Sequence, residues 1–257
     1  MSDDANPYAP TDSVRPEDFG IRKVSVNPIE LLKRSYALIG DQYWLFMGIT
    51  IIGIIIGSAV PFGLIMGPIL VGVYLCFIQR ERGQKAEFAT LFRGFDYFME
   101  SFIAFLIMIG ISMVVILPFM FALMGMLLWP VISASQTPNG PPPAISPAIT
   151  VGIVVMYFVM LAVNILVTLP FLFTFQLIAD RNLKGVAAVK MSARGVIRNF
   201  WGVAWAMFVF TFISMLAAMA CYFPVFFLLP ITFGGFFVLY RDIFGTDAPV
   251  DPVATPQ

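Results

Sequence analysis

From Tyr43 to Gln79 the chain carries no Asp, Glu, Lys, Arg or His, and Pro61, Gly63 and Pro68 interrupt it near its middle. A single bilayer crossing takes about 20 apolar residues, each rising about 1.5 Å. The stretch is too long for one crossing and suits two, with the turn at 61–63. Backbone in lipid has to satisfy its own hydrogen bonds, so the stretch predicts a transmembrane helical hairpin. The rest of the chain is made of similar material. Of its 257 residues 60% are hydrophobic and only 12% charged, which predicts an all-α polytopic membrane protein.

The apolar runs divide into six spans. Spans 1 and 2 cover about 43–60 and 63–79. Span 3 is expected at 101–122 with Pro118 as a tolerated kink, followed by an outer segment ending near Trp129 and Pro130. A Pro/Ser/Asn/Gly-rich loop takes 133–147, and span 4 runs over 149–178, tilted or bent at Pro170. Phe200 and Trp201 open span 5, Pro224 marks a turn, and span 6 ends near Tyr240 and Arg241. Residues 1–27 read as a disordered acidic, proline-rich tail, 28–242 as the membrane domain, and 243–257 as a second short tail.

Polar segments between the spans carry helical patterns of their own. Asn27 can cap a helix with Pro28 in its first turn, and Ile29, Leu32, Tyr36 and Ile39 share one face of it. Phe88, Leu91, Phe92, Phe95 and Phe98 suggest a second such helix. In the third, over 180–199, Lys190, Arg194 and Arg198 form a basic ridge, with Val186, Val189, Ala193, Val196 and Ile197 elsewhere on its surface. All three are expected to lie in the membrane interface on the cytoplasmic side.

Charge sets the expected orientation. With six spans, all 15 Lys and Arg residues fall in segments on one side, and the opposite turns have none. By the positive-inside rule both termini face the cytoplasm. Lys190, Arg194, Arg198, Lys33 and Arg34 are then candidate contacts for anionic lipid headgroups, each worth about 1 kcal/mol near the surface. The acidic tail 1–18 could compete for the ridge. Gly53, Gly57, Gly63 and Gly67 have the four-residue spacing that lets helix backbones approach in lipid. Asn164, Thr168 and Gln176, polar residues within span 4, suit either interhelical packing or the wall of a polar path.

Several functions are disfavoured. There is no histidine, and the two cysteines, Cys76 and Cys221, lie in apolar runs. No ionisable residue falls well inside a span, which argues against a coupled carrier with a carboxylate relay and against intramembrane proteases. No Walker loop or dinucleotide fingerprint occurs. The expectation is a protein that is not an enzyme, uses no cofactor or metal, and binds no nucleic acid.

An internal repeat shows in the sequence. Lys33-Arg34-Ser35 leads to Tyr43-Trp44 as Lys190-Met191-Ser192 leads to Phe200-Trp201, and Pro61, Pro68 and Gly72 are echoed by Pro224, Pro230 and Gly234. Both copies start on the same side, predicting two parallel hairpin units around a central pair. These motifs, with Gly-Pro-Ile-Leu-Val-Gly-Val-Tyr from Gly67 and Arg-Glu-Arg-Gly from Arg80, resemble bacterial six-helix membrane proteins of unknown function. Those are similar to the membrane domain attached to some glycerophosphodiester phosphodiesterases. The resemblance covers about 28–242 and implies the bacterial inner membrane, but carries over no catalytic residue. Two roles follow as expectations: a non-catalytic scaffold, partner subunit or membrane-organising module, with a membrane protein or further copies of itself as partner; or a passive or weakly coupled permease for a lipid-like or small neutral solute.

Overall fold

The computed structural model describes residues 20–135, 146–220 and 223–245, and every regular element among them is helical. In chain order these are α1 (Pro28–Ile39), α2 (Tyr43–Ala59), α3 (Met66–Glu81), a 3-10 helix (Phe88–Tyr97), α4 (Phe98–Ser135), α5 (Pro147–Thr168), α6 (Thr174–Arg181), α7 (Gly185–Arg198), α8 (Phe200–Met219) and α9 (Phe223–Phe244). The acidic tail 1–18, most of the 133–147 loop, Cys221 and nearly all of the second tail lie outside the described residues. Five stretches are long and apolar enough to cross a membrane: Pro28–Ala59, Phe88–Ile132, Pro147–Arg181, Phe200–Met219 and Phe223–Phe244. The chain is an all-α polytopic membrane protein. Span 2 of the sequence reading, α3, is shorter at 16 residues and deeply packed, with Gly67, Pro68, Ile69, Val71, Gly72 and most residues on to Ile78 buried.

Several boundaries differ from those expected. Span 3 and its separate outer segment are one continuous 38-residue helix, α4, with Pro118 and Pro130 inside it. A proline removes a single ladder hydrogen bond, and in lipid the neighbouring turns have no water to exchange theirs with, so the helix carries through. Span 4 is two helices, because the chain tightens to a 3-10 turn at Leu169–Phe171 around Pro170. The segment at 88–97 is a 3-10 helix, with Leu91 and Gly94 buried while Phe92 and Phe95 remain exposed. Side chains three apart eclipse in that form. Residues 20–27 are an extended strap: Arg22 N–H donates to Ile243 O at 2.8 Å, and the Asn199 amide brackets the strap at Val24 N–H and Arg22 O, both at 2.9 Å. Those backbone bonds fix a segment that composition alone assigned to the tail.

The structure shows three related units where the sequence suggested two around a central pair. Each unit is a short helix across the polar end followed by a hairpin whose second arm passes a proline and ends in adjacent opposite charges. Unit one is α1, α2 and α3; unit two is the 88–97 helix, α4 and α5–α6; unit three is α7, α8 and α9. The prolines are Pro68, Pro170 and Pro230, and the charges Arg80-Glu81, Asp180-Arg181 and Arg241-Asp242. Each short helix packs on the second arm of the preceding unit: the 88–97 helix on α3, α7 on Leu169–Phe171 and α6, and α1 on α9. The interlock is cyclic.

Small residues make each interlock possible. A Cβ on Gly72 would run into the Leu91 carbonyl, one on Gly94 into Pro68 O, and one on Gly234 into the Ser35 hydroxyl. Ser35 Oγ donates to Ile231 O at 2.8 Å, and Ser192 Oγ accepts from Phe173 N–H at 3.0 Å. The proposed packing glycines have mixed neighbours. Gly53 faces Ile69 and Gly57 faces Met66 across the α2–α3 hairpin, Gly67 abuts the Ser101 carbonyl of α4, and Gly63 holds the turn at φ +64° beside Phe105.

Candidate functional site at the polar end

The three second arms end at one place. Arg241, three turns beyond Pro230, places its guanidinium carbon over the Phe237 ring, 5.1 Å from the centroid, and is only 10% exposed. Its Nη1 and Nη2 donate to Asp180 Oδ2 and Oδ1 at 2.7 and 3.0 Å, and Nη2 also reaches Glu81 Oε2 at 2.6 Å. The Tyr240 hydroxyl donates to the same Asp180 Oδ2 at 2.7 Å. Asp180 is 1% exposed, so its charge is held entirely by protein donors. Arg181, equally buried, lies 3.8 Å from Asp180 and donates from Nη2 to Phe244 O at 2.5 Å. One residue from each unit thus closes a node on the axis of the interlock.

Outer pairs surround the node. Arg34 of α1 grips Asp242 through two parallel bonds of 2.8 and 2.9 Å. Arg80 pairs with Asp41 at 2.5 Å and donates from Nε to Leu38 O at 2.9 Å. Glu100 at the start of α4 accepts from the first N–H of α7, Gly185, at 2.7 Å. Exposed pairs of this kind contribute little, about 0–1 kcal/mol, whereas removing one partner of a buried pair costs about 3–5 kcal/mol. Breaking the node is therefore expected to cost more than breaking an outer pair.

A cleft of about 410 Å³ opens beside the node. Ala37 and Leu38 of α1 and Phe237 and Val238 of α9 form its apolar walls, while Arg34, Glu81 and Arg241 supply its polar ones. A second, wholly apolar groove of about 380 Å³ runs along α4 past Ile109, Met113 and Met120.

The residues singled out from sequence do not gather in one place. Lys190, Arg194 and Arg198 are exposed on α7 and have no carboxylate partner among the described residues, and Lys33 is exposed on α1. Arg34 instead belongs to the ion pair with Asp242. The outward face of α7 also carries Val186 and Ile197, 47% and 71% exposed, so bases and aliphatic side chains share it. On α1 the buried stripe is Leu31, Ser35 and Ile39, and the expected apolar partners Ile29 and Tyr36 point outward.

The polar residues of span 4 go separate ways. Thr168 Oγ1 donates back to Asn164 O at 2.9 Å within its own helix. The Asn164 side chain is half-buried on α5, a helix with no buried residue, and its amide meets no partner among the described residues. Gln176 is wholly buried on α6, and neither its amide oxygen nor its nitrogen has a partner among the described residues; the same holds for the Thr174 hydroxyl. Buried polar atoms of this kind are places for internal water.

Sequence reasoning passed over Asp180, Arg241 and Glu81, treating them as edge charges of polar segments. Their signal was present: an opposite-charge doublet about three turns beyond a proline, at the end of each second arm. No protein-family model, no curated protein and no solved structure matches this chain.

Proposed function

We propose that this chain is a non-catalytic scaffold or partner subunit of the bacterial inner membrane, with the charged end of the bundle in the cytoplasm. The observation that carries the reading is the outward face of α7. Three bases without described partners alternate there with exposed Val186 and Ile197, and Trp201 follows at 85% exposure. Aliphatic side chains beside bases are costly in water and favourable at a bilayer surface, where the alkyl parts enter the lipid and the charges meet anionic headgroups. The strap is bonded to the end of α9, so the two ends of the membrane domain lie together, which supports a common side for both.

The hairpin of α4 with α5–α6 supplies the second working surface. At about 57 Å, the 38 residues of α4 exceed a hydrocarbon layer of about 30 Å, and α5 packs chiefly on α4. Its bare apolar flank suits a membrane partner or a second copy of the chain, with Asn164 as a polar contact within it.

The permease reading draws support from one place, the unpartnered Gln176 and Thr174 inside the bundle. Asn164 and Thr168 do not join them in a continuous wall. Reconstitution separates the two roles. A scaffold retains lipid or a protein partner through purification and passes no neutral solute across liposomes. Flux that falls in Asn164→Leu or Gln176→Leu would replace the scaffold with a carrier.

A further inference from the structure

The cleft between α1, α3 and α9 has the chemistry of a headgroup site. Its walls are divided: aliphatic and aromatic on the side of Leu38, Val238 and Phe237, charged on the side of Arg34, Glu81 and Arg241. Arg34 lines the cleft, is 46% exposed and spends two of its five N–H donors on Asp242, which leaves three for a ligand or solvent. Glu81 is 27% exposed, and Arg241 engages one of its oxygens, Oε2. Arg241 itself is nine-tenths buried, lines the cleft, and its Nε meets no acceptor among the described residues.

The charge balance selects the ligand. Arg34, Arg181 and Arg241 stand against Asp180, Glu81 and Asp242, leaving this group of six with no net charge. A purely anionic headgroup would gain from Arg34 and lose against Glu81, while a zwitterion satisfies both. The cleft lies at the polar end of the apolar helices and is sized for a headgroup rather than a whole lipid. We propose that it binds the phosphoethanolamine headgroup of a membrane phospholipid, with the phosphate on Arg34 and the ammonium N–H groups on the open oxygen of Glu81. The glycerol and upper acyl carbons then run over Leu38 and Val238. This assignment rests on the polar end meeting the membrane surface and is independent of whether the protein acts as a scaffold.

The test uses the full-length protein, purified in a non-ionic detergent and offered equal amounts of chain-matched phosphatidylethanolamine, its mono- and dimethyl derivatives, phosphatidylcholine and phosphatidylglycerol. Native mass spectrometry reads the bound lipid. Each added methyl removes a donor without altering the protein, so retention is expected to fall stepwise, by about tenfold from ethanolamine to choline. Glu81→Gln should abolish that preference. Neutralising Lys190, Arg194 and Arg198 should leave it intact while reducing phosphatidylglycerol retention. Equal retention of ethanolamine and choline lipids by the unaltered chain overturns the assignment. So does a single tight site that prefers phosphatidylglycerol after the ridge is neutralised, or the retention of no lipid at all. A periplasmic location for Lys190 would instead refute the membrane orientation, and is read by a separate labelling experiment.

Discussion

Arg241 and Asp180 form a two-bond pair, at 2.7 and 3.0 Å, between helix ends that belong to different units of the chain. Asp180 is 1% exposed, and Glu81 of the remaining unit joins at Nη2 of the same guanidinium. The pair therefore holds the three hairpins at one point, and removing either member leaves the other charge buried.

Asp180→Ala is expected to destabilise the protein by about 3–5 kcal/mol, measured as equilibrium unfolding in detergent. The double variant Asp180→Leu/Arg241→Met should recover part of that loss, because the buried Arg241 guanidinium leaves with its partner, while Arg181 and the Tyr240 hydroxyl still lose the Asp180 carboxylate. Breaking the exposed pair by Arg34→Gln should cost about 1 kcal/mol or less. Equal effects from Asp180→Ala and Arg34→Gln would mean that the node is not the main clamp.

Gly72 and Gly94 predict a sharp contrast with a glycine elsewhere. A methyl at Gly72 meets the Leu91 carbonyl and one at Gly94 meets Pro68 O, both rigid backbone, whereas one at Gly110 meets nothing within 4 Å. Gly72→Ala should separate the 88–97 helix from α3 and lower the melting temperature sharply. Gly110→Ala should be neutral or stabilising by up to about 1 kcal/mol. A tolerated Gly72→Ala would contradict the close interlock.

Much of the fold could be read in the chain because lipid makes local pattern decisive. The uncharged stretch before Gln79, the cap at Asn27 (which accepts from Ile29 N–H at 3.2 Å) and the break at Pro170 each have a local cause and appear where expected. The partner of Asp180, by contrast, is 61 residues away, and no periodicity reports which helix ends converge. Phe92, Phe95 and Phe98 recur strictly every third residue, a 3-10 signal that the broader helical reading absorbed. Gln176 looked like Asn164 in sequence because both interrupt apolar runs. Only packing separates a residue sealed in the core from one on the flank of α5.

The ridge on α7 predicts a lipid effect without a stability effect. Replacing Lys190, Arg194 and Arg198 with Gln should leave unfolding within about 0.5 kcal/mol of the parent, since none has a described partner. Retention of phosphatidylglycerol should fall by about fivefold per base removed, and the parent's retention should weaken in salt. Unchanged retention would remove the ridge as a lipid contact.

The account depends most on all three second arms ending on the cytoplasmic side. Single cysteines at Lys190 and at Gln136, in a chain with Cys76 and Cys221 replaced, can be probed in whole cells with a membrane-impermeant thiol reagent. Gln136→Cys should react in intact cells and Lys190→Cys only after the inner membrane is opened. Labelling of Lys190→Cys in intact cells, or of Gln136→Cys only after opening, would contradict the orientation on which the function rests.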